Sequence, residues 1–516
     1  MDINQKIELL KPYSELLQYS KMGLEKEGLR VSERGGISQA PHPSVLGSPL
    51  TNPYITTDFS ESLIELITPP LKTGEEMLSF LENTQMYLYN KLPTNQSFWH
   101  SSMPCVIRGE TCIPIAKYGK SNLAQMKTTY RRGLANRYGR VMQTIAGIHF
   151  NYSFSQDFWK KYHSILLSQY SLRNFIDHGY MCMSRNVIRY GWLIPYLFGA
   201  SPAVCKSFLK GYHKHSMEEF NATTFFEPDS TSLRMGDIGY QNLREDVAGV
   251  KANYNSVEHY IHSLKAGMQT SSVEYEKIGI KNNGIYQQLN TNILQIENEY
   301  YASVRPKPSP NIDKKPLDAL RDNGIEYIEL RSLDINPLVP LGIDLEQVNF
   351  LESFLLFCLL DDSPLITTRE QNDIDKNDKL VAHKGREYGL TLIDRGEQKS
   401  LQDWGLDLVS KINICAALFS DSHDKDVSNI AKRIRKPSLT TSAILLKNMR
   451  DNNLGFFDYI DSLSKQYRSE FLSSEIDKKH FKFLDEQVDI SLTKLKEIEQ
   501  SDDMSFDEFL ENYYKK

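Results

Sequence analysis

Alternating charged and apolar positions predict several short β-strands between residues 20 and 335. In residues 23–31, GLEKEGLRV, the two-residue period of a strand places Glu25 and Glu27 on one face. Neighbouring carboxylates repel each other unless a cation lies between them, and hard oxygen ligands of this kind suit Mg²⁺ or Mn²⁺. A solvated strand edge with alternating charges explains the same pattern, so both interpretations stay open for this segment.

Two other segments carry acidic side chains where an unpaired charge is unfavourable. Residues 55–69 place Asp58 at a turn and Glu65 inside an apolar run, where a carboxylate needs a metal ion or an arginine as its partner. In EYIELRSLD, the same alternation puts Glu329 and Arg331 on one face. For this segment, an internal Glu-Arg pair between two strands is the structural alternative.

Residues 141–152 are predicted to form a further strand, with Gln143, Gly147 and His149 on one face. A single His in a strand is more often a satisfied core residue than a ligand. Here a Gly beside it leaves room for another group to approach the sheet, which favours a functional role.

Residues 289–305 are interpreted as one more strand of this kind, with Glu297, Asn298 and Glu299 along it and Arg305 at its end. Acids, amides and arginines on one face of several strands predict a polar cavity lined by a sheet. Such a cavity can hold a phosphate, a metal ion and an amino acid together.

Helical periodicity marks the two ends of the chain. An amphipathic helix is predicted within residues 1–19, helical patterns dominate from about residue 346, and residues 369–378 are predicted to be an exposed loop. Strands and helices without a regular strand-helix-strand rhythm favour an α+β fold. We expect a single catalytic domain over residues 1–516, with a site-bearing sheet core at 20–345 and a mainly helical supporting region at 346–516.

The composition argues against several classes of protein. A net charge of −6 does not fit the broad cationic surface of a nucleic-acid-binding protein, although a local basic pocket can still hold a nucleotide. No apolar run reaches the roughly 20 residues of a membrane span, and the N-terminus lacks the apolar core of a signal peptide. The six cysteines form no CxxC pair and no Cys/His cluster. We therefore expect a cytoplasmic monomer with no nucleic-acid or membrane partner.

Nine motifs closely resemble the glutamate-cysteine ligase (gamma-glutamylcysteine synthetase) family in its proteobacterial, monofunctional form. The motifs are GLEKE (23–27), TTDF (56–59), LITP (66–69), SMPC (102–105), KTTYRRGLANRY (127–138), MQTIAGIHFN (142–151), YLFGASP (196–202), LQIENE (294–299) and IELRSLDINP (328–337). The resemblance is collinear from about residue 20 to 360 and weakens after that. The chain is expected to lack the ATP-grasp domain of the bifunctional members.

The resemblance implies a fold and a reaction. The fold is a curved, mostly antiparallel sheet that forms a funnel-shaped site, is related to glutamine synthetase and is surrounded by helices. In the reaction, ATP phosphorylates the γ-carboxylate of glutamate, and the amine of cysteine then displaces the phosphate. The products are γ-glutamylcysteine, ADP and phosphate, which makes this the first step of glutathione synthesis.

The resemblance also implies roles for individual residues. Matches to the metal ligands of the family, for Mg²⁺ or alternatively Mn²⁺, are Glu25, Glu27, Asp58, Glu65, His149 and Glu329. Matches to its glutamate-binding residues are Gln143, Arg234 and Asn298. Matches to its cysteine pocket are Phe59, Tyr130, Leu134, Tyr240 and Tyr301. Arg331 and Arg305 are expected to contact the ATP phosphates, and Arg331 and Glu329 to act in catalysis.

The sequence departs from the family pattern at two places. Lys26 and Gly28 replace an Arg and a Thr that are common in the first motif, on the face away from the two carboxylates. Tyr300 and Tyr301 occupy a place where Leu-Tyr is usual. A register shift of one residue would therefore place Tyr300 in the pocket and Tyr301 in the surrounding wall. Tyr301 is the expected pocket residue, and plain core packing is the alternative for each tyrosine.

Two other functions stay open at this point. One is an ATP-dependent ligase of the same fold that joins glutamate to an amine other than cysteine. The other is a catalytically silent protein that binds an amino acid or a nucleotide as a sensor. The full set of six acidic and histidine ligands argues against the sensor, which has little need of them.

Overall fold

The computed structural model describes residues 1–210, 215–239, 250–309 and 314–515. Its strands are β1 (Lys21–Ser32), β2 (Ile55–Thr57), β3 (Leu63–Ile67), β4 (Gln96–Phe98), β5 (Ile148–Ser153), β6 (Ala203–Cys205), β7 (Glu218–Asn221), β8 (Thr224–Phe226), β9 (Lys281–Asn282), β10 (Ile285–Tyr286), β11 (Val304–Lys307), β12 (Tyr327–Leu333), β13 (Thr391–Asp394) and β14 (Glu397–Ser400).

The helices of the described ranges are α1 (Ile3–Leu10), α2 (Gly74–Lys91), α3 (Asn122–Tyr138), α4 (Gln156–Ile165), α5 (Leu172–Tyr190), α6 (Leu193–Phe198), α7 (Val257–Gln269), α8 (Val273–Ile278), α9 (Pro316–Asn323), α10 (Leu345–Leu360), α11 (Thr368–Lys384), α12 (Leu401–Ala416), α13 (Asp421–Arg435), α14 (Thr441–Asp451), α15 (Phe456–Ser473), α16 (Lys478–Ser501) and α17 (Phe506–Lys515). Short 3-10 helices lie at Lys11–Tyr19, Ser44–Leu46, Glu110–Cys112, Met142–Thr144, Glu297–Glu299 and Pro437–Leu439.

A seven-stranded antiparallel sheet carries the predicted site. Its strand order is β11-β12-β5-β1-β3-β2, and β4 pairs with the end of β1. The register places Glu25 of β1 opposite His149 of β5, and Glu27 of β1 opposite Glu65 of β3. Glu329 lies on β12, the strand beyond β5. Because facing residues of antiparallel strands point to the same side, these side chains meet on one face of the sheet.

The reverse face of this sheet is part of the hydrophobic core. Leu24, Ile148 and Leu330 alternate with the polar residues and are fully buried. Lys26 is buried on the same side, donates to Gln85 of α2 at 2.6 Å, and has its pKa lowered to about 7 by desolvation. The sheet therefore separates a polar face from an apolar one.

The helices after β12 pack around this core. The helix α10 is buried from Gln347 to Leu360, which explains why most of its residues are apolar. Within the described ranges, no helix has both the length and the apolar content needed to cross a membrane.

Two strand predictions need correction. The strand predicted over residues 141–152 starts only at Ile148, because the preceding residues form a 3-10 turn in which Ile145 N donates to Met142 O. The strand predicted over residues 289–305 is wrong before Val304. In this segment, backbone N–H groups donate to nearby side chains and not to a neighbouring strand; for example, Gln295 N donates to Glu299 Oε2 at 2.7 Å.

One loop prediction and one helix prediction also need correction. The predicted exposed loop at residues 369–378 is wrong, because these residues lie in α11, which begins after the N-cap Thr367. Few apolar residues are needed there, since only one narrow face of the helix is buried. The helix predicted within residues 1–19 ends as an α-helix at Leu10 and continues as a 3-10 segment from Lys11, next to Pro12.

Candidate active site

Six side chains that the sequence predicts as metal ligands lie on neighbouring strands of the polar face. We call them the acidic cluster: Glu25, Glu27, Asp58, Glu65, His149 and Glu329. Their positions follow from the register of β1, β3, β5 and β12, and from the turn after β2 that carries Asp58. The roles assigned to them from the sequence stay predictions, whereas their proximity is a feature of the structure.

Three members of the acidic cluster come close enough to share one ion. His149 Nδ1 lies 3.0 Å from Glu25 Oε2 and 3.4 Å from Glu329 Oε1. One ligand atom from each residue lies within 4.8 Å of the others, a spacing that suits a divalent cation. Asn151 Nδ2 donates to the second oxygen of Glu25 at 2.9 Å, which fixes the carboxylate in this orientation.

The carboxylates of the cluster differ in ionisation. Burial opposes the charge on Glu25, but the hydrogen bond to His149, together with the charges of His149 and Lys307, outweighs burial and lowers the pKa. Burial likewise opposes the charge on Glu329, and Lys307 and Arg331 more than compensate, so its pKa lies well below the usual range. Burial raises the pKa of Glu27, and burial together with the other carboxylates raises that of Glu65 well above normal. The cluster is therefore short of positive charge around Glu27 and Glu65.

Glu329 is held between two basic side chains. Its Oε1 accepts from Arg331 Nη1 at 2.8 Å, and its Oε2 accepts from Lys307 Nζ at 3.3 Å. Arg331 follows it on β12, and Lys307 projects from the edge strand β11. The sequence analysis predicted the pair of Glu329 with Arg331 and missed Lys307, which comes from a different strand.

A cavity of about 160 Å³, here the first cavity, opens beside the acidic cluster. It is lined by Glu27, Asp58, Phe59, Tyr130, Arg131, Leu134, Gln143, His149, Arg234, Met235, Asn298, Tyr301, Ala302, Ser303 and Arg331. The three predicted glutamate-binding residues and four of the five predicted cysteine-pocket residues are in this set. The fifth, Tyr240, lies outside the described residues.

One wall of the first cavity comes from helix α3. Tyr130, Arg131 and Leu134 line this wall, and Leu134 lies four residues after Tyr130 and three after Arg131, so it neighbours both on the helix surface. Arg131 donates through Nε to the backbone carbonyl of Asp58, and its guanidinium lies over the ring of Tyr118 at 4.6 Å. The sequence analysis quoted the segment that contains Arg131 without assigning it a role, although its spacing of three residues from Leu134 could have identified it.

Tyr301 and Gln143 connect two walls of the cavity. Gln143 Nε2 donates to the hydroxyl of Tyr301 at 2.8 Å. Tyr301 lines the cavity, whereas Tyr300 is buried in the hydrophobic core. The structure therefore places the hydroxyl of Tyr301, and not that of Tyr300, beside the predicted glutamate-binding residues.

Arg234 reaches the cavity because Gly147 has no side chain. A Cβ on Gly147 would lie 2.1 Å from Arg234 Nη2, which is too close for any real contact. The space beside His149 that the sequence predicted is thus filled by a guanidinium. Arg234 Nη2 also donates to the carbonyl of Arg331 at 2.8 Å, which joins it to β12.

Two more cavities lie near the cluster, one lined by Lys307, which bonds to Glu329, and one lined by Glu25. The second cavity, of about 340 Å³, is lined by basic residues Arg305, Lys307 and Lys314 together with Asn298 and Tyr327 among others. The third cavity, of about 560 Å³, lies next to Glu25 and has apolar lining from Pro53, Tyr54 and Pro69. Ser309 and Tyr327 line both cavities, so the two are neighbours.

Comparison with known proteins shows extensive similarity along the sequence. The family model of glutamate-cysteine ligases matches residues 7–381. The chain is 39% identical over 504 residues to a glutamate-cysteine ligase of Alcanivorax borkumensis, covering 96% of this chain and 95% of that protein. It is 41% identical over 516 residues to a glutamate-cysteine ligase of Pseudomonas putida, with coverage of 99% and 98%.

Solved structures agree with this similarity. A glutamate-cysteine ligase from Francisella tularensis, in complex with AMP, superposes with a TM-score of 0.90 at 32% identity, covering 96% of this chain and 98% of that one. A bifunctional glutathione synthetase from Pasteurella multocida has a TM-score of 0.71 at 25% identity over 90% of this chain. The match covers 54% of that longer protein.

Proposed function

Because the chain belongs to the glutamate-cysteine ligase family, we propose that the acidic cluster and the first cavity form its active site. The protein is an ATP-dependent ligase that joins the γ-carboxylate of glutamate to the amine of cysteine and gives γ-glutamylcysteine, the first product of glutathione synthesis. The observation that carries the site assignment is the meeting of Glu25, His149 and Glu329 at the edge of a cavity with separate polar and aromatic walls.

The acidic cluster has the composition of a site for Mg²⁺, with Mn²⁺ as the alternative. Five carboxylates and one imidazole supply hard ligands, and the raised pKa values of Glu27 and Glu65 mark a deficit of positive charge that divalent ions would remove. When bound, these ions would neutralise the phosphate groups of ATP and of the activated substrate. Glu25, Glu27, Asp58, Glu65, His149 and Glu329 would hold them.

ATP is the phosphoryl donor, and we assign its phosphates to the basic side chains next to Glu329. Arg331, Arg305 and Lys307 supply positive charge there. Arg305 and Lys307 are two residues apart on the edge strand β11, so both side chains lie on the same side of it. The third cavity, with its prolines and Tyr54, offers apolar surface for a nucleotide base. The Francisella protein was solved in complex with AMP, which supports a nucleotide as a ligand.

Glutamate would occupy the polar wall of the first cavity. The guanidinium of Arg234 suits its α-carboxylate, and the amides of Gln143 and Asn298 suit its remaining polar groups. Its γ-carboxylate would then point towards Arg331, which stabilises the negative charge that develops during phosphoryl transfer. The intermediate in this proposal is γ-glutamyl phosphate, and ADP leaves.

Cysteine would occupy the aromatic wall formed by Phe59, Tyr130, Leu134 and Tyr301, and the assignment of Tyr240 stays a prediction. Its amine nitrogen attacks the acyl carbon, the new C–N bond forms, and the bond from that carbon to the phosphate oxygen breaks. Phosphate leaves and the nitrogen loses a proton. The close position of the two walls allows both substrates to react without leaving the cavity.

We further propose that the whole chain acts as one catalytic domain, with residues 20–345 as a funnel-shaped, glutamine synthetase-like sheet core and residues 346–516 as helical support. One hydrophobic cluster that includes Leu24, Leu330, Leu355 and Ile460 supports this proposal, since it joins the sheet to the later helices. A cytoplasmic location fits the use of ATP and the six free cysteines. A monomeric state without nucleic-acid or membrane partners stays a prediction.

The decisive experiment is an assay of the purified protein with glutamate, cysteine, ATP and Mg²⁺, followed by chromatography of all products. We expect γ-glutamylcysteine, ADP and phosphate, and no addition of glycine. Formation of AMP and pyrophosphate would contradict the acyl-phosphate route. EDTA should abolish turnover, and Mg²⁺ or Mn²⁺ should restore it where Zn²⁺ alone does not. Comparison of cysteine with 2-aminobutyrate and other amines tests the substrate choice.

A further inference from the structure

The last described helix, α17, packs against the aromatic wall of the first cavity from behind. Leu510 of α17 is buried with Met126 of α3 and Leu289 in a small apolar cluster. Tyr130 packs on this cluster and also lines the cavity. The aromatic side chains of α17 that surround the cluster are Phe506, Phe509, Tyr513 and Tyr514. Tyr130 is therefore held between the substrate space and the C-terminal helix.

The residues just before α17 are tied to the start of α3. The backbone N–H of Asn122 donates to Asp502 Oδ2 at 2.5 Å, and the amide of Asn122 donates to the carbonyl of Met504 at 3.0 Å. A carboxylate at the first turn of a helix also interacts favourably with the helix dipole. This end of α17 thus fixes the position of α3 along its axis.

The far end of α17 is tied to the same wall through Gln295. The hydroxyl of Tyr514 donates to the carbonyl of Gln295 at 3.1 Å, and the side chain of Gln295 donates to the carbonyl of Tyr130 at 3.3 Å. The amide of Asn290 donates to the same hydroxyl at 2.9 Å. A Cβ on Gly133 would lie 2.1 Å from Gln295 Oε1, so Gln295 lies directly against the backbone of α3.

We propose that Tyr514 and Leu510 of the C-terminal helix are positioning residues for the cysteine pocket. The proposal rests on the assignment of Tyr130 and Leu134 to that pocket in the proposed function. Both contacts of α17 converge on the helix that carries these two residues, whereas the acidic cluster is carried by strands and by the turn after β2. Loosening α17 should therefore weaken the binding of cysteine more than that of glutamate or ATP.

The experiment is steady-state kinetics on Tyr514→Phe and Leu510→Ala, with each of the three substrates varied in turn. Removal of the half-buried hydroxyl of Tyr514 should raise the KM for cysteine about fivefold, and the loss of apolar contact in Leu510→Ala should raise it further. The KM values for glutamate and ATP, and kcat, should stay within about twofold. Lys315 Nζ lies over the rings of Tyr513 and Tyr514 at 4.4 and 5.9 Å, and Tyr514→Phe keeps the ring that makes this contact. The matched control is Tyr388→Phe, since Tyr388 is fully exposed.

A parallel variant, Leu134→Ala, separates failure of this proposal from failure of the pocket assignment. If Leu134→Ala raises the KM for cysteine and both α17 variants leave it unchanged, the positioning role is wrong and the pocket stands. If Leu134→Ala has no effect on that KM, the pocket assignment is wrong, and the proposal falls with it. Equal losses for all three substrates, or a lower melting temperature with unchanged kinetics, would mean that α17 only stabilises the fold.

Discussion

Asp334 Oδ1 lies 3.7 Å from Nη1 of Arg234, with both side chains almost completely shielded from solvent. The same carboxylate accepts from Ala200 N at 2.8 Å, from the hydroxyl of Ser201 at 2.6 Å and from that of Ser232 at 3.0 Å. Burial raises the pKa of Asp334, against the opposing effect of Arg234. Asp334 thus joins two chain segments that precede Arg234, and Arg234 itself, to the end of β12.

Replacement of Asp334 by Asn should impair the binding of glutamate. The amide retains the shape but loses the charge that holds Arg234, so we expect the KM for glutamate to rise roughly tenfold, with a smaller change in the KM for cysteine. Steady-state kinetics measures both values. Asp157→Asn, at an exposed position of α4, is the control. An unchanged KM for glutamate in a folded Asp334→Asn protein would refute the link to Arg234.

Replacement of Glu329 by Gln should act on kcat. The variant keeps an oxygen but loses the charge that matters most when phosphoryl transfer concentrates negative charge at the site, so kcat should fall roughly 100-fold or more. Glu27→Gln should behave in the same way. The KM for cysteine should barely change, and a large increase in it would argue against a role for these carboxylates in the chemical step.

Replacement of Tyr301 by Phe should act on substrate binding. Only a hydroxyl is lost, which corresponds to about 1 to 2 kcal/mol in the KM for cysteine. Because this hydroxyl also bonds to Gln143, a smaller increase in the KM for glutamate is expected. Glutamate-dependent use of ATP should otherwise persist. A loss of kcat with an unchanged KM for cysteine, in a variant with a normal circular dichroism spectrum, would contradict the pocket assignment.

Replacement of Lys307 by Met should weaken nucleotide binding. If Lys307 contacts a phosphate of ATP, the KM for ATP should rise about tenfold, and Lys307→Arg should recover part of the loss. Calorimetric titration with ADP and Mg²⁺ provides a measurement independent of turnover. Lys265→Met, which removes a lysine paired with Asp318, is the control. If Lys307→Met changes only the Mg²⁺ concentration needed for activity and leaves the KM for ATP unchanged, Lys307 neutralises Glu329 and does not contact a phosphate.

His383 should make stability depend on pH. Its Nδ1 lies 2.7 Å from Glu227 Oε2, and its Nε2 lies 3.1 Å from Asp237 Oδ1, near Lys379. Burial disfavours the charged ring, but Glu227 and Asp237 outweigh burial and raise the pKa of His383 above 6.5. The folded state therefore gains stability below the unfolded pKa and loses it as pH rises through the folded pKa.

The corresponding measurement compares melting temperatures of the wild type and His383→Gln across pH. The wild type should have its largest advantage near about pH 6, and the difference should shrink towards about pH 9. A difference that grows with pH would mean that the ring is held neutral in the folded protein.

The pattern of alternating residues predicted the centre of the site because single strands carry that information. Glu25 and Glu27 do lie on one face of β1, and Glu329 and Arg331 on one face of β12. The pairing of Lys307 with Glu329 was not predictable in this way, since it depends on which strand lies at the edge of the sheet. Contacts between side chains on different strands can be identified only once the order of the strands in the sheet is known.

The wrong predictions have a common physical cause. In residues 289–303, the backbone N–H groups of Leu289 and Gln295 donate to the side chains of Gln295 and Glu299 instead of to a strand ladder. Alternation of residue types does not reveal these bonds. In α11, a polar sequence forms a helix because its cap and a narrow buried face suffice. In both segments, hydrogen bonds between residues close in sequence determined the local structure.

The register of the central sheet has a consequence for how the chain reaches its native state. The bond from Gly147 to Glu27 joins residues 120 positions apart, and the contact of Arg331 with His149 spans 182 positions. Such non-local pairing slows folding, because long loops must close before any contact is gained. Partly folded chains will expose unpaired strands of β1 and β5 while the later strands are still being synthesised. Glu329 completes the acidic cluster only when β12 docks on β5, and until then its carboxylate is a separate, hydrated charge.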